Sequence, residues 1–105
     1  MRAFHGTSVG NVISIMEKGL LAKYDGVYLT DSEDSALRWT GFRLRAMGES
    51  KIAVIEVEVD EKDLEEGVDH SPMMVQMFGV GKSLVSLESI PPEKIINVNL
   101  YEMGR

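Results

Sequence analysis

Lys51-Ile52-Ala53-Val54-Ile55-Glu56-Val57-Glu58-Val59 is the most regular run in the chain. Ile55, Val57 and Val59 alternate with Glu56 and Glu58, the period-two pattern of a strand with one buried and one wet face. A strand here fixes how its flanks are read. Just before it, Ala36, Leu37, Thr40, Leu44 and Met47 recur at helical spacing, with Asp31 or Ser32 where an N-cap belongs and Gly48 where a helix stops. Further upstream, Gly26-Val27-Tyr28-Leu29-Thr30 predicts a strand entered through the Asp25-Gly26 turn. Before that, Val9, Val12, Ile13, Met16 and Leu20 predict an earlier helix, capped by Thr7 or Ser8 and ended by Gly19. Residues 2–5 make a short apolar opening.

In the other direction, residues 61–82 lose the pattern. Pro72 with Gly67, Gly79 and Gly81 predicts a loop holding at most one helical turn. Residues 83–88 alternate again, Pro91-Pro92 breaks the chain, and residues 95–101 predict a last strand. There is no internal repeat, low-complexity tract or linker, so residues 1–105 are expected to form a single domain. Two early helices followed by a strand-rich half predict an α+β fold with a largely antiparallel sheet.

Composition narrows the function classes. Hydrophobic residues are 44% and charged residues 27%, an ordinary balance for a folded protein, and no apolar run is long enough for a membrane helix. The opening residues 1–6 lack a signal peptide's apolar centre, and small secreted domains are commonly stapled by disulfides; a cytoplasmic location is expected. The absence of cysteine excludes disulfides, thiolate metal sites and thiol catalysis. A net charge of −6 works against broad binding to nucleic acid. The acids concentrate between Asp60 and Glu66, as a solvated turn and short helix would, whereas Arg38, Arg43 and Arg45 gather into a local basic cluster.

Several residues carry chemistry that such a fold can use. His5-Gly6-Thr7 closes the first strand before a helix, where free N–H groups and a side-chain-free Gly6 admit a ligand and the imidazole can bond a sugar hydroxyl. The alternative is a capping turn with an incidental histidine. Tyr28 offers a ring for stacking on a flat heterocycle, or simply a core tyrosine with a wet hydroxyl. Arg43 can fork onto a phosphate or favour the end of its helix. Glu88, beside Pro91-Pro92-Glu93, is a candidate to orient an attacking hydroxyl, or an exposed acid at a strand end. Trp39 is expected as a packing anchor, Met73, Met74 and Met77 as cover for a core or pocket, and His70 as a loop residue. No zinc spacing, phosphate-binding lysine loop, GxGxxG or nucleophile elbow occurs, and no metal is expected.

Taken in order, Phe4-His5-Gly6-Thr7, Gly26-Val27-Tyr28-Leu29-Thr30-Asp31-Ser32, Gly41-Phe42-Arg43 and Ser89-Ile90-Pro91-Pro92-Glu93 resemble the ADP-ribosyltransferase superfamily. The series is especially similar to the C-terminal catalytic lobe of the RNA 2′-phosphotransferases, over roughly residues 3–98. The resemblance implies an ADP-ribosyltransferase-like core with a split, mainly antiparallel sheet and both helices in its N-terminal half. It implies NAD as the small-molecule substrate, with His5 on the ribose hydroxyls, Gly6 and Thr7 in the cofactor-binding turn, and Tyr28 stacked on nicotinamide. Arg43 would meet phosphate and Glu88 would stand nearest to the catalytic acid, although family spacing puts a glutamate near Lys82 or Ser83. The implied activity is NAD-dependent ADP-ribosyl transfer or RNA 2′-phosphate removal, with RNA or a protein as acceptor. The alternatives are a catalytically inactive module that binds NAD or ADP-ribose, and a toxin-like interaction domain.

Overall fold

The computed structural model describes residues 1–22, 26–66 and 83–102. Along the chain lie β1 (Arg2–Ser8), a 3-10 turn (Val9–Asn11), α1 (Val12–Lys18), β2 (Val27–Thr30), α2 (Glu33–Ala46) and β3 (Lys51–Glu58). A 3-10 turn (Glu61–Asp63), β4 (Leu64–Glu66), β5 (Ser83–Ser86), another such turn (Pro92–Lys94) and β6 (Ile95–Glu102) follow. The strands form one sheet in the order β4-β5-β2-β1-β3-β6, every neighbouring pair antiparallel. The fold is therefore α+β, with an antiparallel sheet and two helices.

Residues 51–58 do hold the fold together, but not as a half-buried strand. Ile52, Ala53, Val54 and Ile55 are all buried, because β3 lies between β1 and β6 with a core on each face. On one face Ala53, Ile55 and Val57 pack with Ala3, Val27 and Leu29 beneath α1. On the other, Ile52 and Val54 pack with Ala36 and Leu44 of α2. A strand covered on both sides shows a continuous apolar run, and alternation returns only where cover ends, at Glu56 and Glu58. Ile52, Val54, Ile55 and Val57 are among the largest fully buried side chains, each contributing about 1.5–3 kcal/mol on transfer from water.

The first helix departs from its expected face. Ile13 is 76% exposed and Met16 50%, while Val9, Val12 and Ile15 meet the core. On an α-helix that begins at Val12, positions 12 and 15 share the side that also takes the preceding Val9, which leaves 13 far round the helix and 16 at the margin. Gly19 ends the helix at φ +80°, and Leu20 then exchanges two backbone hydrogen bonds of 2.8 Å with Ile90. A Cβ at Gly19 would strike the Ile90 carbonyl, so this crossing needs glycine twice over. Met47, expected on the buried side of α2, stands just beyond its end and is exposed. Leu64-Glu65-Glu66, expected as loop, forms β4 on a border of the sheet, where charge is common because it discourages further pairing. The calls on His70, Met73, Met74 and Met77 lie outside the described residues.

The expected split in the sheet is not a separation into two sheets, since the six described strands are joined. The joint is narrow at one place. β1 and β3 pair continuously from Arg2↔Glu58 to Ser8↔Ile52, whereas β1 and β2 share only Phe4↔Thr30.

Candidate functional site

The opening between β1 and β2 brings unlike residues together. Phe4 and Thr30 face α2, and so does Tyr28, since its neighbours Val27 and Leu29 point into the α1-side core. His5 alternates the other way, opposite Ile55 on β3. Strict alternation would leave His5 and Tyr28 on opposite faces of a closed sheet. Past the Phe4–Thr30 pair the ladder is open, and the imidazole spans the space, its Nδ1 2.7 Å from the Tyr28 carbonyl oxygen.

That bond sets the ring's chemistry. A carbonyl only accepts, so Nδ1 carries the proton and, in the neutral ring, Nε2 is left as an acceptor. Burial pushes the His5 pKa below its ordinary 6.5; the Tyr28 carbonyl acts against this, and the nearby Arg43 guanidinium adds to the lowering. The neutral imidazole therefore prevails at pH 7. Its Nε2 suits a hydroxyl or N–H donor, not an anion.

Above the opening lies α2. Its start is fixed by Ser32, whose Oγ accepts from the Ser35 N–H at 3.1 Å, and Thr30 Oγ1 donates to the Ser32 carbonyl at 2.6 Å, tying β2 to the cap. Asp34 and Arg38 pair at 3.0 Å one turn further on. The helix then presses on β1 at Gly6. A Cβ there would run into the Thr40 hydroxyl and lie 2.7 Å from Thr40 Cβ and 2.9 Å from the Ala36 carbonyl oxygen. Gly6 thus has a packing role that its sequence context did not announce. It lets α2 lie close enough to wall the opening.

The result is a cavity of about 600 Å³. Four aromatic residues line it, Phe4, Tyr28, Trp39 and Phe42, and its polar groups come from His5, Thr30, Thr40 and Arg43. Among the described residues no carboxylate pairs with Arg43, and no group of three His, Asp or Glu could hold a metal ion.

Of the residues singled out by sequence, His5, Gly6, Tyr28 and Arg43 share this cavity and two do not. Thr7 is buried on the α1 side, where its Oγ1 accepts from Asn11 Nδ2 at 2.9 Å, so it braces the turn into α1. Glu88 is exposed in the turn after β5, its carbonyl accepting from Ser86 Oγ at 2.8 Å. Ser86 pairs with Val27 at the start of β2, so Glu88 lies past that end, away from the lining. Phe4, Thr40 and Phe42 were not picked out by sequence, and Trp39 was expected only as an anchor. Their signal was the spacing Trp39, Phe42, Arg43, Ala46, a second face of α2 beside its buried one. Compared with family models and with curated proteins, the chain matches none.

Proposed function

We propose that the cavity between β1, β2 and α2 binds NAD or another ADP-ribose-containing nucleotide, on a core of the ADP-ribosyltransferase type. The observation that supports this most is the convergence of His5, Tyr28 and Arg43, distant in sequence, on one cavity. Its volume falls within the roughly 300–1,000 Å³ of small-molecule sites. The parts suit the three parts of a nucleotide: Nε2 of His5 accepts from a ribose hydroxyl, an aromatic ring of Tyr28 stacks on a base or nicotinamide, and the Arg43 guanidinium meets phosphate. One guanidinium in a mostly apolar cavity favours a ligand with a flat apolar part and a small anionic part.

Binding is the stronger reading, with transfer of ADP-ribose or removal of an RNA 2′-phosphate second. Transfer asks for a carboxylate at the reacting ribose, and among the described residues none lines the cavity; Glu88, the sequence candidate, stands outside it. An acidic chain is also poorly suited to gather an RNA acceptor by charge alone. A cytoplasmic location, where such nucleotides are abundant, remains part of the proposal. The test is an NMR titration with NAD and with ADP-ribose, followed by assay for released nicotinamide. Shifts centred on His5, Tyr28 and Arg43 without nicotinamide release are expected. Release would promote the transferase reading, and the absence of shifts with both ligands at millimolar concentration would end the nucleotide reading.

A further inference from the structure

The nucleotide reading gives tasks to His5, Tyr28 and Arg43 and leaves part of the cavity wall without one. Phe42, Ala46 and Met47, at the C-terminal end of α2, line the same cavity. Phe42 is 52% exposed, Met47 67%, and Ala46 is exposed too; none of the three belongs to either core. The buried row of α2 runs through Ala36, Thr40 and Leu44, and Phe42 and Ala46, also four apart, form a second row beside it. A single exposed apolar side chain is ordinary, whereas a group of them lining one cavity marks a binding surface. Of the four aromatic lining residues, Phe4 and Trp39 are half-buried, and Phe4 also packs on the α2-side core. The two exposed rings are Tyr28, on β2, and Phe42, on α2.

The polar neighbours of these two rings differ. Tyr28 lends its carbonyl to the uncharged imidazole of His5, whereas Phe42 is followed directly in the chain by Arg43. The two rings of NAD differ in charge: the nicotinamide, joined to its ribose, is cationic and the adenine is neutral. A cationic ring is drawn to the face of a tyrosine and repelled by a nearby guanidinium, whereas a neutral ring stacks beside a guanidinium without repulsion. We infer that Phe42, with Ala46 and Met47, seats the adenine of the bound nucleotide and leaves Tyr28 to the nicotinamide. The inference rests on the nucleotide reading and adds which half of the ligand α2 selects. Phe42 supplies the stacking face, and Met47, flexible and polarizable, packs at the edge of the adenine. Nucleotides that carry adenine are held there whether or not they carry nicotinamide.

The test is calorimetric titration of NAD and of ADP-ribose, which has no nicotinamide, into the full chain and variants at Phe42 and Tyr28. Phe42→Ala should weaken both ligands alike, by about tenfold, through loss of the stacked face. Phe42→Leu, which keeps apolar cover but no aromatic face, should also weaken both, and Phe42→Trp should bind at least as well as the wild type. Tyr28→Ala should weaken NAD and leave ADP-ribose nearly unchanged; the carbonyl that holds His5 belongs to the backbone and stays in place. Both positions are exposed, and circular dichroism verifies that each variant folds. ADP-ribose binding that is unchanged in Phe42→Ala and Phe42→Leu, or that Tyr28→Ala weakens as much as Phe42→Ala does, would overturn this inference and leave the nucleotide reading standing. A wild type that binds neither ligand would overturn both.

Discussion

The Tyr28 carbonyl sets the two nitrogens of His5 apart: Nδ1 ties β1 to β2, and Nε2 is left as an acceptor. Burial of the ring, against which this bond acts, predicts how stability depends on pH. Folding lowers the His5 pKa below 6.5, so the unfolded chain takes up a proton first as pH falls. Stability should hold above pH 6.5 and decline as pH drops below it, flattening once the folded ring also protonates. Urea titrations of wild type and His5→Gln across this range provide the check: the wild type should lose more stability than the variant between neutral pH and mildly acid pH. Equal slopes would mean that the ring is not held neutral. Gly6 makes a separate prediction. Adding a methyl group where Thr40 and Ala36 already touch should cost about 1–3 kcal/mol, read as a lower urea midpoint for Gly6→Ala. His5, Tyr28 and Arg43 were legible as candidates because their side chains have the right chemistry. The packing role of Gly6 was not, because it depends on a helix thirty residues away in sequence.

Among the elements, α2 has the clearest local code. Ser32 caps it, Glu33 and Asp34 stand in its first turn, and Arg43 and Arg45 in its last, so its ends agree with its dipole. Ser32→Ala should therefore destabilise the fold by about 1 kcal/mol, and Ser32→Gly by only a few tenths, since glycine also suits a cap position. Thermal melts of the two variants test this, and a Gly variant as weak as the Ala variant would contradict the capping account. Where the sequence misled, the cause was context. In α1 the sheet covers the side that holds Val12 and Ile15, so Ile13 and Met16, also apolar at helical spacing, face outward. The residues of β4 are strand only because β5 lies beside them. Glu88 looked near the site because it precedes Ile90-Pro91-Pro92 in the chain; the antiparallel pairing of β2 with β5 carries it to the other end.

At the scale of the whole molecule, the sheet has a core on each face and one weak joint between its strands, and the cavity lies at that joint beneath α2. The α+β class, and the order of the elements apart from β4, could be read from alternation and helical spacing. The cavity could not, since it arises where a ladder fails to continue, a property of two strands together. The central claim is that this opening is a nucleotide site held by His5 and Arg43. Calorimetric titration of NAD into wild type, His5→Ala, Arg43→Ala and Glu88→Gln tests it most directly. Loss of a ribose hydrogen bond should weaken binding about threefold to tenfold in His5→Ala, and loss of a charged phosphate contact should weaken it by about tenfold or more in Arg43→Ala. Glu88→Gln, remote from the lining, should bind as the wild type does. A wild type that fails to bind NAD at millimolar concentration, or binding that neither His5→Ala nor Arg43→Ala diminishes, would contradict the account.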